Sequence, residues 1–294
     1  MTANVHIACF HRIIPDENEE REWPYITRGT ALTISQFKQC IDELATNYQF
    51  IDEQIAGEIL VANQPGPSQA CWVTFDDGYR DILTIAAPIL TEYKIKPTLF
   101  LTTRLLDGNW HLPVDRWYSI LLRATRKRGV YGHEKEPWEF NLDREQDRNR
   151  FVKGIEKRQY LEGTPQEQEK SLEQLAKALG SISEVLAPKY LTRKDIQALT
   201  DLGWFIGSHG HSHLLLPKCA DSELLNEILA SESILDRLTI KRSSWFAYSD
   251  GVVDPRIENI LERRGCIGAV TTDGKIADPN SNTWETPRFV EHPK

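Results

Sequence analysis

The chain has 294 residues, 40% hydrophobic and 27% charged, enough for a substantial core in one large domain or two small ones. Its formal net charge is −8 with acidic and basic residues mixed, so no basic face or tail argues for nucleic acid as a partner. There is no run of about 18 apolar residues to span a membrane.

The first strand is predicted at Val5–Phe10. The opening MTANVHIACFHRII has no basic start and no apolar stretch of secretion-signal length. Five dispersed cysteines, Cys9, Cys40, Cys71, Cys219 and Cys266, form no CxxC and suggest reduced thiols, so a cytoplasmic location is expected. TISQFKQCIDELATNY reads as a helix with Ser35 as N-cap and Phe37, Cys40, Ile41 and Leu44 on one face. Cys71–Phe75 is the next strand, Asp81–Tyr93 is helical by pattern, and Lys96–Thr103 holds another strand. From about 111 to 191 the chain is rich in Glu, Gln, Arg and Lys and mostly helical by pattern. That stretch reads as a solvated helical insertion, or as a lid or substrate-recognition cap. Strands return at Trp204–Ser208, Ser243–Tyr248 and Cys266–Thr272, separated by helices at Asp221–Leu238 and Asp254–Arg264. This strand–helix alternation predicts an α/β fold with parallel strands and crossover helices, in a single domain over 1–294 that carries the insertion.

Ligands of parallel sheets bind at the C-terminal ends of the strands. There the first strand delivers His11 and Arg12, the second Asp76 and Asp77, the strand at Trp204–Ser208 the run SHGHSH, and the following one Tyr248 and Asp250. Three of the chain's eight histidines fall within five residues of that run. His209 and His213, spaced i and i+4, face the same way if the segment turns helical after the strand. Two imidazoles on one metal suit that spacing, whereas the HExxH arrangement fails for want of its Glu. Two histidines and one carboxylate make a three-ligand site with open positions that activates water and polarises a carbonyl. Adjacent aspartates at a strand end point differently, so one of Asp76 and Asp77 can bind the cation while the other serves as a base. The plainer reading of Asp-Asp-Gly, a turn, explains the Gly but not a second Asp against an apolar core.

TFDDGYRD, IGSHGHSH and FAYSDG closely resemble the polysaccharide deacetylases of the NodB-homology type, carbohydrate esterase family 4. The opening IACFHRI and the closing TPRFVEH resemble that family's rearranged branch, which includes deacetylases of bacterial biofilm polysaccharides. The resemblance spans most of the chain apart from the insertion. It implies a distorted, incomplete (β/α) barrel of about seven parallel strands. It makes Asp76 the general base, Asp77, His209 and His213 the metal ligands, and the Tyr79 backbone N–H the oxyanion donor. It implies a divalent cation, usually zinc, with nickel and cobalt as alternatives. His11 matches the general acid of the rearranged branch, and a histidine suits protonation of a leaving amine. Gly210 stands where the family usually has Ser or Thr, whose hydroxyl steadies the metal-ligand loop; Leu214 and Ser249 stand where prolines are common. The arginine that pairs with the base is not at its usual place, and Arg288 and Arg116 are candidates for it. Tyr248, Asp250 and Arg288 are expected among the substrate-binding residues, and Trp110, Trp117 and Trp138 pack or stack on sugar faces.

The expected activity is hydrolysis of an N-acetyl group from an amino sugar, free, nucleotide-linked or within an oligosaccharide, giving an amine and acetate. Removal of an N-formyl group, O-deacetylation, and a non-catalytic carbohydrate-binding role are the alternatives. Both aspartates and both histidines are present, which weighs against the last.

Overall fold

A computed structural model describes residues 4–132, 136–182 and 188–293. Eight strands form its main sheet: β1 (Val5–Phe10), β2 (Gln49–Ile51), β3 (Ala70–Asp77), β4 (Thr98–Leu101), β5 (Phe205–Ser208), β6 (Arg242–Ala247), β7 (Gly268–Val270) and β8 (Phe289–Val290). Seven run in the order β7-β6-β5-β4-β3-β1-β8, and β2 pairs with β3 beside this path. Every pairing is parallel. β2 takes the first half of one edge of β3, opposite Ala70–Trp72, and β4 takes the second half, opposite Thr74–Asp77. A single parallel bridge, Val270 to Thr286, links β7 to the segment that leads into β8. The result is a distorted, incomplete (β/α) barrel.

The predicted strands are present: Val5–Phe10 keeps its predicted bounds, and the others are trimmed or extended by one or two residues at an end. β2 and β8, of three and two residues, are too short to give a period-2 signal. The first long helix, Ile34–Asn47, buries Phe37, Cys40, Ile41 and Leu44 as expected. Its N-cap is Thr33 rather than Ser35: the Thr33 side chain accepts from the N–H of Gln36, and Gln36 reaches back in a reciprocal capping box. The helix expected over Asp81–Tyr93 starts as a π turn, Ile82–Ala86, and becomes α-helical at Ala87–Glu92, where Pro88 cannot donate an i→i−4 bond. The segment expected as one helix over Asp254–Arg264 is a 3-10 turn, Pro255–Ile257, followed by a short helix, Glu258–Glu262.

Residues of one parity along β3 line the barrel interior. Ala70 and Trp72 pack with Val5, Ile7, Phe100, Trp245 and Ala247 in a buried apolar cluster. Two steps further on, at Thr74 and Asp76, the same face becomes polar. The interior therefore ends in charged chemistry at the C-terminal rim.

The described chain divides into two compact units. The barrel unit takes the chain up to Ile14, Leu32–Trp110 and everything from Lys189. The second unit takes Pro15–Ala31 and His111–Pro188, so the insertion expected over 111–191 also recruits a segment near the start of the chain. Residues 133–135 and 183–187 of that insertion lie outside the described residues. The unit has its own core: Trp117 stacks on Tyr160 at 5.1 Å, and Tyr25 meets Tyr118 edge-on at 4.9 Å. Buried Asp115 accepts from the Tyr25 hydroxyl at 2.6 Å. Among the described residues no helix is long and apolar enough to cross a membrane.

Candidate active site

Asp77, Leu101 and Ser208 stand level across β3, β4 and β5. The chain leaves β3 through two residues with positive φ, Asp77 (72°) and Gly78 (124°). Aspartate tolerates the left-handed region better than most residues. Gly78 is required twice over, because a Cβ there would also meet Leu101 Cδ1 at 2.6 Å. This sharp turn sends the two adjacent carboxylates in different directions.

Asp76 points into the barrel against Arg288. Both its oxygens are held, with Arg288 Nη1 donating to Oδ1 at 2.7 Å and Nη2 to Oδ2 at 2.6 Å. The same guanidinium donates to Thr74 Oγ1 at 3.1 Å and to the Thr271 carbonyl at 3.0 Å, and it lies over the Phe100 ring. The Cys9 thiol approaches Asp76 Oδ2 at 3.5 Å, and His11 completes a cluster with Cys9 and Asp76. Burial pushes the Asp76 carboxyl up, but the Arg288 charge, aided by His209 and His11, holds it well below the usual carboxylate range. Asp76 is therefore an ionised, rigidly held carboxylate. Burial pushes the Cys9 thiol far up, so it is a neutral neighbour.

Asp77 faces the histidines. Its Oδ1 lies 3.5 Å from His213 Nε2 and 3.8 Å from His209 Nε2, and the donor atoms of the three residues lie within 4.8 Å of one another. His209 Nδ1 is 2.9 Å from the Ala247 carbonyl at the end of β6. A carbonyl only accepts, so Nδ1 carries the proton and the Nε2 lone pair faces Asp77. Burial draws His209 down to about 4, keeping it neutral. Burial would lower His213 too, but the charges of Asp77 and then Asp250 raise it. Donors 2.0–2.1 Å from a tetrahedral zinc lie about 3.3 Å apart. The two carboxylate–imidazole distances, 3.5 and 3.8 Å, are slightly longer, and two imidazoles with one carboxylate are the donor set of an open divalent site, so these residues fit such a cation.

The histidine loop does not turn helical, the condition under which the i, i+4 spacing would align the two rings. Gly210 (φ 81°) and His213 (φ 56°) turn it instead, and the two imidazole rings meet edge-on at 4.9 Å. His211 leans away, with its Nδ1 3.1 Å from Thr103 Oγ1.

Tyr79 is buried, with the Arg12 guanidinium over its ring at 5.2 Å and the Tyr190 ring 5.7 Å away. Its backbone forms an antiparallel bridge with Tyr190 in which Leu191 donates to Gly78 and Arg80 donates to Lys189. In such a non-hydrogen-bonded pair the Tyr79 N–H points away from the partner segment. Arg12, unassigned by the sequence, ties the first strand's exit to this loop by donating to Asp81 at 3.1 Å.

Two residues expected to contact substrate are fully buried. Arg288 is 0% exposed and committed to Asp76, the pairing for which it was a candidate, which leaves it no free face for a substrate. Tyr248 is 0% exposed and belongs to the apolar cluster of Phe246, Leu224, Ile228 and Ile257. Asp250 is exposed and acts on His213. Arg116 pairs with Glu169 at 2.7 Å in the second unit, which removes it as a partner of the base. Trp117 is buried in that unit's core, Trp138 carries Arg150 over its ring at 4.1 Å, and Trp110 carries Arg104 at 5.2 Å.

A rim that presents a buried, arginine-locked carboxylate beside an Asp-His-His donor set defines a hydrolase site on a (β/α) barrel. The family model described as polysaccharide deacetylase matches residues 63–267, and the chain belongs to that family. No match was found among curated proteins. Among solved structures, the chain is similar to the Streptococcus pyogenes deacetylase PplD in complex with acetate, with TM-score 0.63, 17% identity, and coverage of 100% of this chain and 95% of that one. It is also similar to IcaB from Ammonifex degensii, with TM-score 0.58, 17% identity and coverage of 99% and 93%. A third is a de-N-acetylase from Aggregatibacter actinomycetemcomitans, with TM-score 0.57, 12% identity and coverage of 99% and 96%. At these identities the likeness is one of fold.

Proposed function

We propose that the protein is a metal-dependent hydrolase that removes an N-acetyl group from an amino sugar, free, nucleotide-linked or within an oligosaccharide, releasing acetate and a free amine. The observation that carries this reading is the gathering of Asp77, His209 and His213 donors within 4.8 Å, next to a carboxylate locked by Arg288. A divalent cation held by those three residues, zinc by its donor set with nickel and cobalt as alternatives, supplies Lewis acidity toward the acyl carbonyl and toward water. Asp76 takes the proton from the attacking water. The Tyr79 N–H donates to the oxygen on which negative charge develops. His11, beside Asp76, delivers a proton to the leaving nitrogen. The cytoplasmic location remains part of the proposal and is supported by five cysteines without a disulfide.

The test is metal analysis of the purified protein together with mass-spectrometric assay on a panel of N-acetylated, N-formylated and O-acetylated sugars. The expected result is a bound divalent ion and loss of acetyl from the N-acetylated members. Asp77→Ala and His213→Ala should each lose both the ion and the activity. Wild-type metal content in either variant overturns the ligand assignment.

A further inference from the structure

One helix, Asp221–Leu235, grips the histidine loop at both ends. Glu227 and Ser231 lie one turn apart on the same face of that helix, and both are buried. Ser231 Oγ pairs with Ser208 Oγ at 2.7 Å, immediately before His209. The Glu227 carboxylate accepts from the Ser212 N–H at 2.6 Å, from the Ser212 hydroxyl at 2.7 Å and from the Leu214 N–H at 3.4 Å. Those donors flank His213 on both sides. Leu224, Ile228 and Leu235 anchor the helix in apolar surroundings, so its grip is rigid.

We propose that Glu227 is the positioning residue of the metal-ligand loop, doing for His213 what a hydroxyl side chain at position 210 would otherwise do. The inference rests on the metal reading above. His213 sits at φ 56°, a left-handed conformation uncommon for any residue but glycine, although histidine tolerates it better than most. A carboxylate that fixes the peptide groups on both sides of it leaves that backbone little freedom. The two ways of steadying the loop exclude each other: a Cβ on Gly210 would stand 2.8 Å from Glu227 Oε1, so Ser or Thr there would displace the carboxylate. Gly210, at φ 81°, already disfavours a side chain, and its bare backbone leaves that space to the Glu227 carboxylate. Groups that orient metal ligands commonly govern metal affinity by about 10–100-fold.

The test compares wild type with Glu227→Ala and Glu227→Gln. Zinc affinity is measured by chelator competition, the Co2+ d–d spectrum reports ligand geometry, and circular dichroism of the apo protein reports the fold. Glu227→Ala is expected to bind zinc about 10–100-fold more weakly and to show an altered Co2+ spectrum. Glu227→Gln keeps an acceptor for the Ser212 N–H, and the Ser212 hydroxyl can turn to accept from the new amide, so it should rescue most of the affinity. Should the alanine variant fail to fold, Glu227→Leu fills the space without an acceptor and carries the same expectation. A folded Ala or Leu variant with wild-type zinc affinity and an unchanged Co2+ spectrum overturns the proposal. A wild-type protein that binds no divalent ion overturns the preceding reading instead.

Discussion

Replacing Arg288 by Met tests whether one buried ion pair both holds the barrel rim and sets the base. The guanidinium is fully buried and places two donors on Asp76, at 2.7 and 2.6 Å, and one each on Thr74 and Thr271. Methionine fills part of the space but leaves the Asp76 carboxylate, 2% exposed, without its counter-charge. Removing one partner of a buried pair costs about 3–5 kcal/mol. At about 2–4 °C per kcal/mol for domains of comparable size, thermal unfolding should shift down by about 6–20 °C. Adding Asp76→Asn neutralises the stranded charge and should recover more than half of that loss, a coupling that a double-mutant cycle reads directly. The pH dependence has a definite sign. In the wild type, Arg288 holds the folded Asp76 below its unfolded value of about 3.9, so its stabilising contribution is present above that pH and fades only at lower pH. In Arg288→Met the opposing effect of burial is left in charge, and the acid limb of kcat/KM should move to higher pH. Differential scanning fluorimetry and a pH–rate profile on an N-acetylated sugar are the assays. An Arg288→Met protein melting within about 2 °C of wild type, or a double variant no more stable than the single, refutes the reasoning.

Asp76→Asn should retain the bound cation but lose turnover, because its oxygens serve Arg288 and the proton transfer while Asp77 serves the donor set; loss of metal in this variant would reverse the two roles. His11→Ala should lower kcat by about 10²–10⁴-fold with metal content unchanged, and an unchanged rate removes His11 from the mechanism. Glu53, buried near the N-terminal ends of the strands, accepts from Thr98 Oγ1 at 2.9 Å and the Ser244 N–H at 3.1 Å, yet burial still pushes it up to about 7. A raised folded value means its favourable contribution is complete below the unfolded value of about 4.3 and is lost as pH rises through 7. The melting temperature of Glu53→Gln relative to wild type should therefore climb between about pH 4 and 8, and a difference independent of pH would contradict the assignment.

Most of the barrel is legible because its strands are buried apolar runs that end at polar residues, and that termination points to the rim. Val5–Phe10 and Cys71–Phe75 can be read this way directly. β8 cannot, since two residues carry no period. Yet the segment leading into it delivers Arg288 beneath Asp76, 212 residues away, a pairing that periodicity does not announce and that only the family resemblance offered, beside Arg116. Tyr248 misleads for a related reason: it follows a strand into the rim region in sequence, but its ring turns into the cluster with Phe246 and Ile228. Parity along a strand decides which face a side chain takes, and the strand's last residue is where parity is least secure.

The histidine spacing shows the same limit from the other side. His209 and His213 do converge, but not through a helical turn. The i,i+4 rule requires helical dihedrals, whereas this loop reaches the same convergence with two left-handed residues. What permits those dihedrals is tertiary: hydrogen bonds to Glu227, fifteen residues from Ser212 along the chain, and to Ser231 beyond it. Spacing alone can therefore point to residues that converge, because many backbone paths bring residues four apart within reach. It cannot identify the path, and with it the residue that holds the path in place, because that depends on a neighbour contributed by another element.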